Sequence, residues 1–495
     1  MGRLPRIRRW LVWLTWSALL VFATVVIGGA VSARRRLADL EPWHRLQLRD
    51  FQASDLTPQA TLNDYLAIED AAFRRIKTEI EGRLEPRWNV PANRYNPDGY
   101  SYPGRLGIDW NRTQVLTPHG TAAGGALLVH GLTDSPYSMR TIGERLRGLG
   151  YHVVALRVPG HGTVPAGLTA VTWEDWLAAI RLGARSVQTS IGPDKPLVIV
   201  GYSNGGALAL KYALDAVEGS GDPLPSRLVL LSPMIGVAPL AWLTRVISML
   251  SPVPAFEKAR WLDVYPEYNP FKYVSFPTNA GFQTWRLTTT VQRQIARVAG
   301  SDRAREMPPL LTFQSVVDST VSTPAVVHAL YDVIADERSE LVVFDINRAS
   351  GLTPFIRESE TTLLSRLTDP SARPYRRTLL TNVDPTSLDM AERSVAPGTT
   401  DVAIRPLNLA WPRDVYSLSH IAVPFPMSDP VYGRDDLAGA PPLIRLGILS
   451  PRGERAVMSV PSETLIRLTC NPFFSYLDAR LTGWIGAPAS AAPAK

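Results

Sequence analysis

From residue 124 onward, short apolar runs alternate with stretches in which apolar positions recur at helical spacing. The runs at 126–129, 152–156, 197–200, 227–231, 310–317 and 340–344 predict strands, and the periodic stretches at 139–149, 173–187, 206–216 and 323–335 predict helices. Near-continuous apolar strands separated by helices predict an α/β fold, a mostly parallel central sheet covered on both faces. Functional side chains in such folds gather at the carboxyl ends of the strands.

Before this pattern, Leu62, Leu66, Phe73, Ile76 and Ile80 fall on one helical face, so residues 61–81 predict an amphipathic helix. Residues 86–107 are rich in Pro, Asn, Gly and Tyr and predict a loop that wraps onto the following domain. Two long stretches interrupt the βα rhythm. Residues 236–307, with amphipathic pieces at 240–250 and 291–298, fall where a cap over a cleft sits; Trp242, Leu243, Ile247 and Leu250 are expected to line a path for an acyl chain. Residues 347–413 are rich in Pro and polar residues and are expected to form a second insertion beyond the last strand. The expected organisation is an anchor at 1–36, a helical and loop segment at 37–104, a catalytic domain at 105–485, and a disordered Ala/Pro-rich tail at 486–495.

The charge sharpens the view of the N-terminus. Arg3, Arg6, Arg8, Arg9, Arg34, Arg35 and Arg36 match the whole net charge of +7, so the rest of the chain is neutral and no nucleic-acid-binding face is expected. Between the two arginine clusters, residues 10–31 are uncharged and long enough to cross a hydrocarbon core of about 30 Å as a helix. Trp10, Trp13 and Trp16 lie toward one end, where indoles favour the interface. A single-pass anchor is the expectation; a cleaved signal ending near Val31-Ser32-Ala33 and a buried core helix are the alternatives. The flanking arginines nearly balance, since Arg45 and Arg49 also follow the span. The orientation expected leaves the short N-terminus inside a bacterial inner membrane and exports the large domain to the periplasm. Cys470 is the single cysteine, which excludes an intramolecular disulfide.

The chemistry begins at Gly201-Tyr202-Ser203-Asn204-Gly205-Gly206, which follows an apolar run and opens a helical stretch. In that context G-x-S-x-G places a serine on a sharp strand-to-helix turn, so Ser203 is the candidate nucleophile. A serine hydroxyl needs a base, and the base needs an orienting acid. Only His328 and His420 follow Ser203; His328 lies inside a predicted helix, whereas His420 lies in a loop beyond the last strand and is the better base. Asp318 ends the run 310–317 and is the preferred acid, with Asp345 as its rival. The oxyanion is expected to meet the backbone N–H groups of Leu132, in His130-Gly131-Leu132, and of Asn204. His130 and His161 are expected to fix loops, and no cofactor or metal motif is present.

These residues resemble the α/β-hydrolase superfamily, and more closely the bacterial carboxylesterase and monoacylglycerol-lipase-like group. The resemblance rests on Leu127-Leu128-Val129-His130-Gly131-Leu132, on Pro159-Gly160-His161-Gly162, on Trp173-Glu174-Asp175-Trp176 and on the Ser203 turn. It implies the α/β-hydrolase fold with Asp318 and His420 at the acid and base positions, although the interval between those two is longer than that group usually shows. The function expected is a membrane-anchored serine hydrolase that cleaves lipid-like or small acyl esters through an acyl-enzyme. A peptidase or thioesterase on the same triad, or a non-catalytic membrane-tethered module, is the alternative. Oligomeric state is not legible.

Overall fold

The computed structural model describes residues 37–236, 254–351, 371–435, 443–449 and 467–486, together with residues 10, 13, 14, 16, 17, 458, 460 and 461. The expected membrane span therefore lies almost wholly outside the described residues, as do Trp242, Leu243, Ile247 and Leu250 of the expected cap. Among the described residues, no helix is long and apolar enough to cross a membrane.

The centre is a ten-stranded sheet. In chain order its strands are β1 (Gln114–Leu116), β2 (Gly124–Val129), β3 (Tyr151–Leu156), β4 (Leu197–Tyr202) and β5 (Arg227–Leu231). A two-stranded ribbon of β6 (Trp261–Asp263) and β7 (Phe276–Pro277) lies apart from it. The sheet then resumes with β8 (Leu310–Ser315), β9 (Glu340–Phe344), β10 (Arg376–Asn382), β11 (Asp389–Val395) and β12 (Val402–Ala410). The spatial order is β1-β3-β2-β4-β5-β8-β9-β10-β11-β12. Pairing is parallel from β3 through β10 and antiparallel at both edges.

The long helices are α1 (Leu62–Glu79), α2 (Arg140–Gly148), α3 (Trp173–Ile191), α4 (Asn204–Val217), α5 (Thr278–Ala299) and α6 (Phe474–Gly486). Side chains alternate across the pleat, so every central strand feeds two cores. Leu127 and Val129 of β2 pack on the face covered by α3, α4 and α5. Ala126 and Leu128 pack on the opposite face, with Ile142 and Leu146 of α2 and Leu477 and Leu481 of α6. Burial on both faces is why the strands read as unbroken apolar runs.

Two expectations are corrected here. Residues 347–413 are no insertion beyond the last strand: they carry β10, β11 and β12 of the same sheet. The pattern concealed them because β11 reads Asp-Met-Ala-Glu-Arg-Ser-Val, while most of the β12 side chains are exposed. The helix expected over 323–335 is broken into Thr323–Ala325, a π-helical turn Val326–Tyr331, and Asp332–Ile334.

Residues 37–113 pack onto the sheet domain. Trp43, Ile76, Ile80 and Tyr95 share a core with Val164 and Ala166. Arg157, fully buried, pairs with Asp50 at 2.7 Å and with Glu69 of α1 at 2.8 Å. A buried guanidinium is tolerated because both its neighbours are acids that also accept other hydrogen bonds. Asp50 accepts from Gly160 N–H at 2.7 Å, and Glu69 accepts from Thr113 N–H at 3.0 Å.

Candidate active site

The turn between β4 and α4 must reverse direction in very few atoms. Ser203 takes φ 55° and ψ −118°, a conformation that costs an L-residue about 1–3 kcal/mol. Surrounding contacts hold it there: Ser203 N–H donates to Leu231 O at 2.9 Å, and Met234 N–H donates to Ser203 O at 3.0 Å. The flanking glycines are there for space. A Cβ at Gly205 would stand 2.2 Å from Val129 O, and one at Gly201 would stand 2.5 Å from Gly205 O. Only residues without side chains let the strand end, the turn and the neighbouring loop come this close.

Asp318 follows β8 and stands beside His420, whose Nδ1 lies 2.8 Å from Asp318 Oδ2. Both side chains are buried. Asp318 Oδ1 accepts from Thr320 N–H at 2.8 Å and Val321 N–H at 3.0 Å, and Oδ2 accepts from Gln314 Nε2 at 3.2 Å. Burial pushes this carboxyl's pKa up, but the attraction of His420 and these hydrogen bonds outweigh it and hold the pKa below the usual value. An ionised Asp318 fixes the proton of a neutral His420 on Nδ1, which leaves Nε2 free to accept one. Tyr202 stacks on the His420 ring at 5.3 Å between centroids and donates its hydroxyl to His420 O at 3.4 Å.

The rivals are engaged elsewhere. His328 is exposed and pairs with Asp332 at 3.0 Å. Asp345 is held by Arg348 at 3.0 Å and by Thr381 Oγ1 at 2.6 Å.

Leu132 and Ser203 line the same cavity. Among the described residues nothing accepts a hydrogen bond from the N–H of Leu132 or of Asn204, which opens α4. Two free N–H groups beside the serine are what a developing oxyanion requires. The loop that carries Leu132 is pinned on several sides. Thr133, at φ 61°, accepts from Tyr273 N–H at 2.7 Å, and a Cβ at Gly131 would stand 3.1 Å from Ser203 Cβ.

His130 Nε2 accepts from Val158 N–H at 3.0 Å, so its proton is on Nδ1, which faces Gly131 O at 2.9 Å. Burial and the neighbouring His161 drive the His130 pKa well below the usual value, which keeps the ring neutral. His161 reaches Pro159 O at 3.0 Å, and Trp176 Nε1 donates to the same oxygen at 3.1 Å. The Trp173-Glu174-Asp175-Trp176 motif is thereby explained structurally. Thr172 and Asp175 cap α3 reciprocally at 2.8 and 3.3 Å, and Trp176 holds the glycine loop.

Ser203 and His420 line one cavity of about 710 Å³ with Leu132, Tyr202 and Met234. Much of its other wall comes from Tyr265, Tyr268 and Phe276, which lie between β6 and α5, and from Thr284 of α5. Gln314, Asp134, Lys272 and Arg467 were not legible as parts of the site. Gln314 sits inside an apolar strand run, and the other three acquire their places only through tertiary packing. Asp134 follows the loop that carries Leu132; burial pushes its carboxyl up to about 6 although Lys272 pulls it down. Cys470 is buried, which raises its thiol to about 12 and disfavours the thiolate. Among the described residues, no three His, Cys, Asp or Glu side chains converge as a metal site.

Residues 126–356 match the alpha/beta hydrolase family. This match places residues 126–356 in the α/β-hydrolase superfamily. Its resemblance to a thermostable monoacylglycerol lipase of Bacillus sp. (strain H-257) is 36% identity over 89 residues, which span 18% of this chain and 34% of that relative. Among solved structures, this chain is similar to a metagenome-derived lipolytic enzyme, at 23% identity and a TM-score of 0.38, covering 48% of this chain and 88% of the other. It is also similar to the monoacylglycerol lipase of Paleococcus ferrophilus, at 18% identity and a TM-score of 0.36, covering 47% and 88%.

Proposed function

We propose that this protein is a membrane-anchored serine hydrolase that cleaves carboxylic esters through an acyl-enzyme. One observation carries the reading: Ser203, on a strained strand-to-helix turn, shares a cavity with His420, whose far nitrogen is bound to Asp318 at 2.8 Å. In the first half-reaction Ser203 Oγ adds to the ester carbonyl carbon while its proton passes to His420 Nε2. Asp318 stabilises the imidazolium, and the N–H groups of Leu132 and Asn204 receive the oxyanion. Collapse of the tetrahedral adduct breaks the bond to the alcohol, which leaves with the proton from His420. Water then repeats the sequence on the acyl-Ser203 ester and releases the acid. The aromatic wall of Tyr265, Tyr268, Phe276 and Phe425 suits an acyl chain, and the relative named a monoacylglycerol lipase supports a lipid-like ester.

The N-terminal part of the proposal rests on the uncharged span 10–31 between arginine clusters. It places the protein in a bacterial membrane by a single helix, with the hydrolase domain on the periplasmic side. Full-length protein should sediment with membranes, resist high-salt washing and enter solution only with detergent. A mature chain that starts near Arg34 and stays in solution would instead mark a cleaved signal.

The activity is tested by giving the purified protein matched ester, thioester and amide substrates beside its Ser203→Ala variant. Ester turnover that vanishes in Ser203→Ala supports the reading. Turnover of the amide or thioester in preference to the ester would assign a peptidase or thioesterase, and turnover that persists in Ser203→Ala would refute the nucleophile.

A further inference from the structure

The catalytic cavity holds two cations that the triad does not use. Lys272, on the segment between β6 and β7, and Arg467 both line the cavity that contains Ser203 and His420. Among the described residues neither side chain makes a hydrogen bond or an ion pair. Both are half-buried, whereas several other buried or half-buried cations are paired. Arg157 meets Asp50 and Glu69, Arg140 meets Asp429, and Lys211 meets Asp215.

Two acids lie in the same cavity, and neither forms an ion pair with Lys272 or Arg467 among the described residues. Asp134 turns its carboxylate to Ser135 N–H at 2.8 Å, and Asp263 stands exposed on β6. Burial depresses the Lys272 pKa, Asp134 offsets part of that effect, and Arg467 adds to it. A desolvated cation without a partner is costly, and a ligand anion that bridges two of them gains charge-assisted hydrogen bonds.

We propose that Lys272 and Arg467 form an anion subsite, so that the ester substrate carries a carboxylate or phosphate group away from its scissile bond. This specificity rests on the ester-hydrolase reading of Ser203. The anionic group belongs either to the acyl part, as in a half-ester of a dicarboxylic acid, or to the alcohol, as in a phosphorylated monoacylglycerol. Bound in this way, the anion orients the ester so that its carbonyl faces Ser203 and the free N–H groups of Leu132 and Asn204.

Two matched pairs test the proposal and separate the sources of the anion. One pair is nitrophenyl hexanoate against the nitrophenyl half-ester of adipate; the other is a monoacylglycerol against the same monoacylglycerol phosphate. In at least one pair the anionic member should be favoured by about tenfold in kcat/KM, a single strong charge-assisted contact. Lys272→Met and Arg467→Met should each collapse that ratio toward one, and Lys272→Arg, which keeps the charge, should retain most of it. Ratios near one in both pairs, or a preference that survives the double Met variant, would overturn the subsite. An equal loss in Lys272→Arg and Lys272→Met, accompanied by lowered thermal stability, would mark a packing role and also overturn it.

Calorimetric titration of the Ser203→Ala protein with the same esters reads the subsite without turnover. If the anionic ester binds tighter there, and Lys272→Met removes the difference, the subsite stands even where wild type hydrolyses nothing and the hydrolase reading has failed. If both esters are hydrolysed alike and bind alike, the hydrolase stands and the subsite falls.

Discussion

His420 Nδ1 lies 2.8 Å from Asp318 Oδ2, with a sequence separation of 102 residues. The intervening chain completes β9 and then adds three more strands, of which β11 and β12 extend the sheet to its far edge. Asn347, just beyond β9, brings the returning chain back: its N–H donates to Tyr416 O and its Nδ2 to Val415 O, both at 2.8 Å. That anchor stands four residues before His420. The length of the excursion is thereby decoupled from the geometry of the base.

Asp318→Asn tests that pair. An amide in place of the carboxylate favours the wrong imidazole tautomer, and turnover should fall by about ten-thousandfold. His328→Ala, at an exposed side chain paired with Asp332, should leave turnover near that of wild type. Steady-state kinetics on a soluble ester decide it; a greater loss at His328 than at Asp318 would reassign the base.

Gly205→Ala adds one methyl group at 2.2 Å from Val129 O and 2.5 Å from His130 O. Both obstacles are backbone, so neither can swing aside as a side chain would. The variant should lose about 1–3 kcal/mol of stability through overpacking, and its activity should collapse as the serine turn moves. Denaturant unfolding together with ester turnover measures both; an active, equally stable variant would mean that the turn is looser than described.

Gly281 lines the cavity that contains Ser203 from α5, and among the described residues a Cβ there meets only Phe276 at 3.6 Å. Gly281→Leu should therefore be accommodated by the helix, which gains a better helix former, while the new side chain narrows the cavity. Long-chain esters should lose about tenfold in kcat/KM relative to acetyl and butyryl esters, the scale of an excluded hydrophobic contact. An unchanged chain-length ranking would detach this wall from acyl selection.

His44 ties the N-terminal segment to the stretch between β6 and β7. Its Nδ1 accepts from Glu41 N–H at 2.9 Å, and its Nε2 faces Ser275 Oγ at 3.0 Å. Protonation would turn Nδ1 into a second donor against that N–H. Burial, aided by Arg45, lowers the pKa of His44 from 6.5 to about 3. The unfolded chain therefore binds a proton below about pH 6.5 that the folded chain refuses, so this residue's stabilising neutrality is present above that pH and is lost as pH falls toward 3. Compared with His44→Gln, wild type should lose about 1.4 kcal/mol of stability per pH unit across the acid part of that window. Urea unfolding at several pH values gives the difference, and a pH-independent gap would contradict the neutral, buried ring.

Much of this was open to reading from the chain because both faces of the central strands are buried. β2, β4, β5, β8 and β9 are buried at every position and mostly apolar outside the end of β8, and Ser203 follows one of them with glycine on either side. The edge strands escaped notice for the opposite reason. β11 and β12 keep charged or exposed positions, and Pro406 interrupts β12, so neither the apolar run nor a clean alternation survives. Gln314 was hidden because a polar residue in a strand acquires a purpose only when the following loop turns Asp318 back onto it. Lys272 and Arg467 come from distant segments that meet only across the finished cavity. The π-helical turn at Val326–Tyr331 had no marker, since its residues keep an ordinary helical apolar pattern.

The central claim is covalent attachment of the acyl group to Ser203, and it is tested most directly by trapping that intermediate. Wild-type protein is mixed with a soluble nitrophenyl ester, quenched in acid within the first turnovers, digested and mapped by mass. The account predicts one acyl group on the peptide containing Ser203, lost in Ser203→Ala. Hydrolysis that proceeds with no acylated peptide, or an acyl group carried elsewhere with Ser203 unmodified, would contradict it.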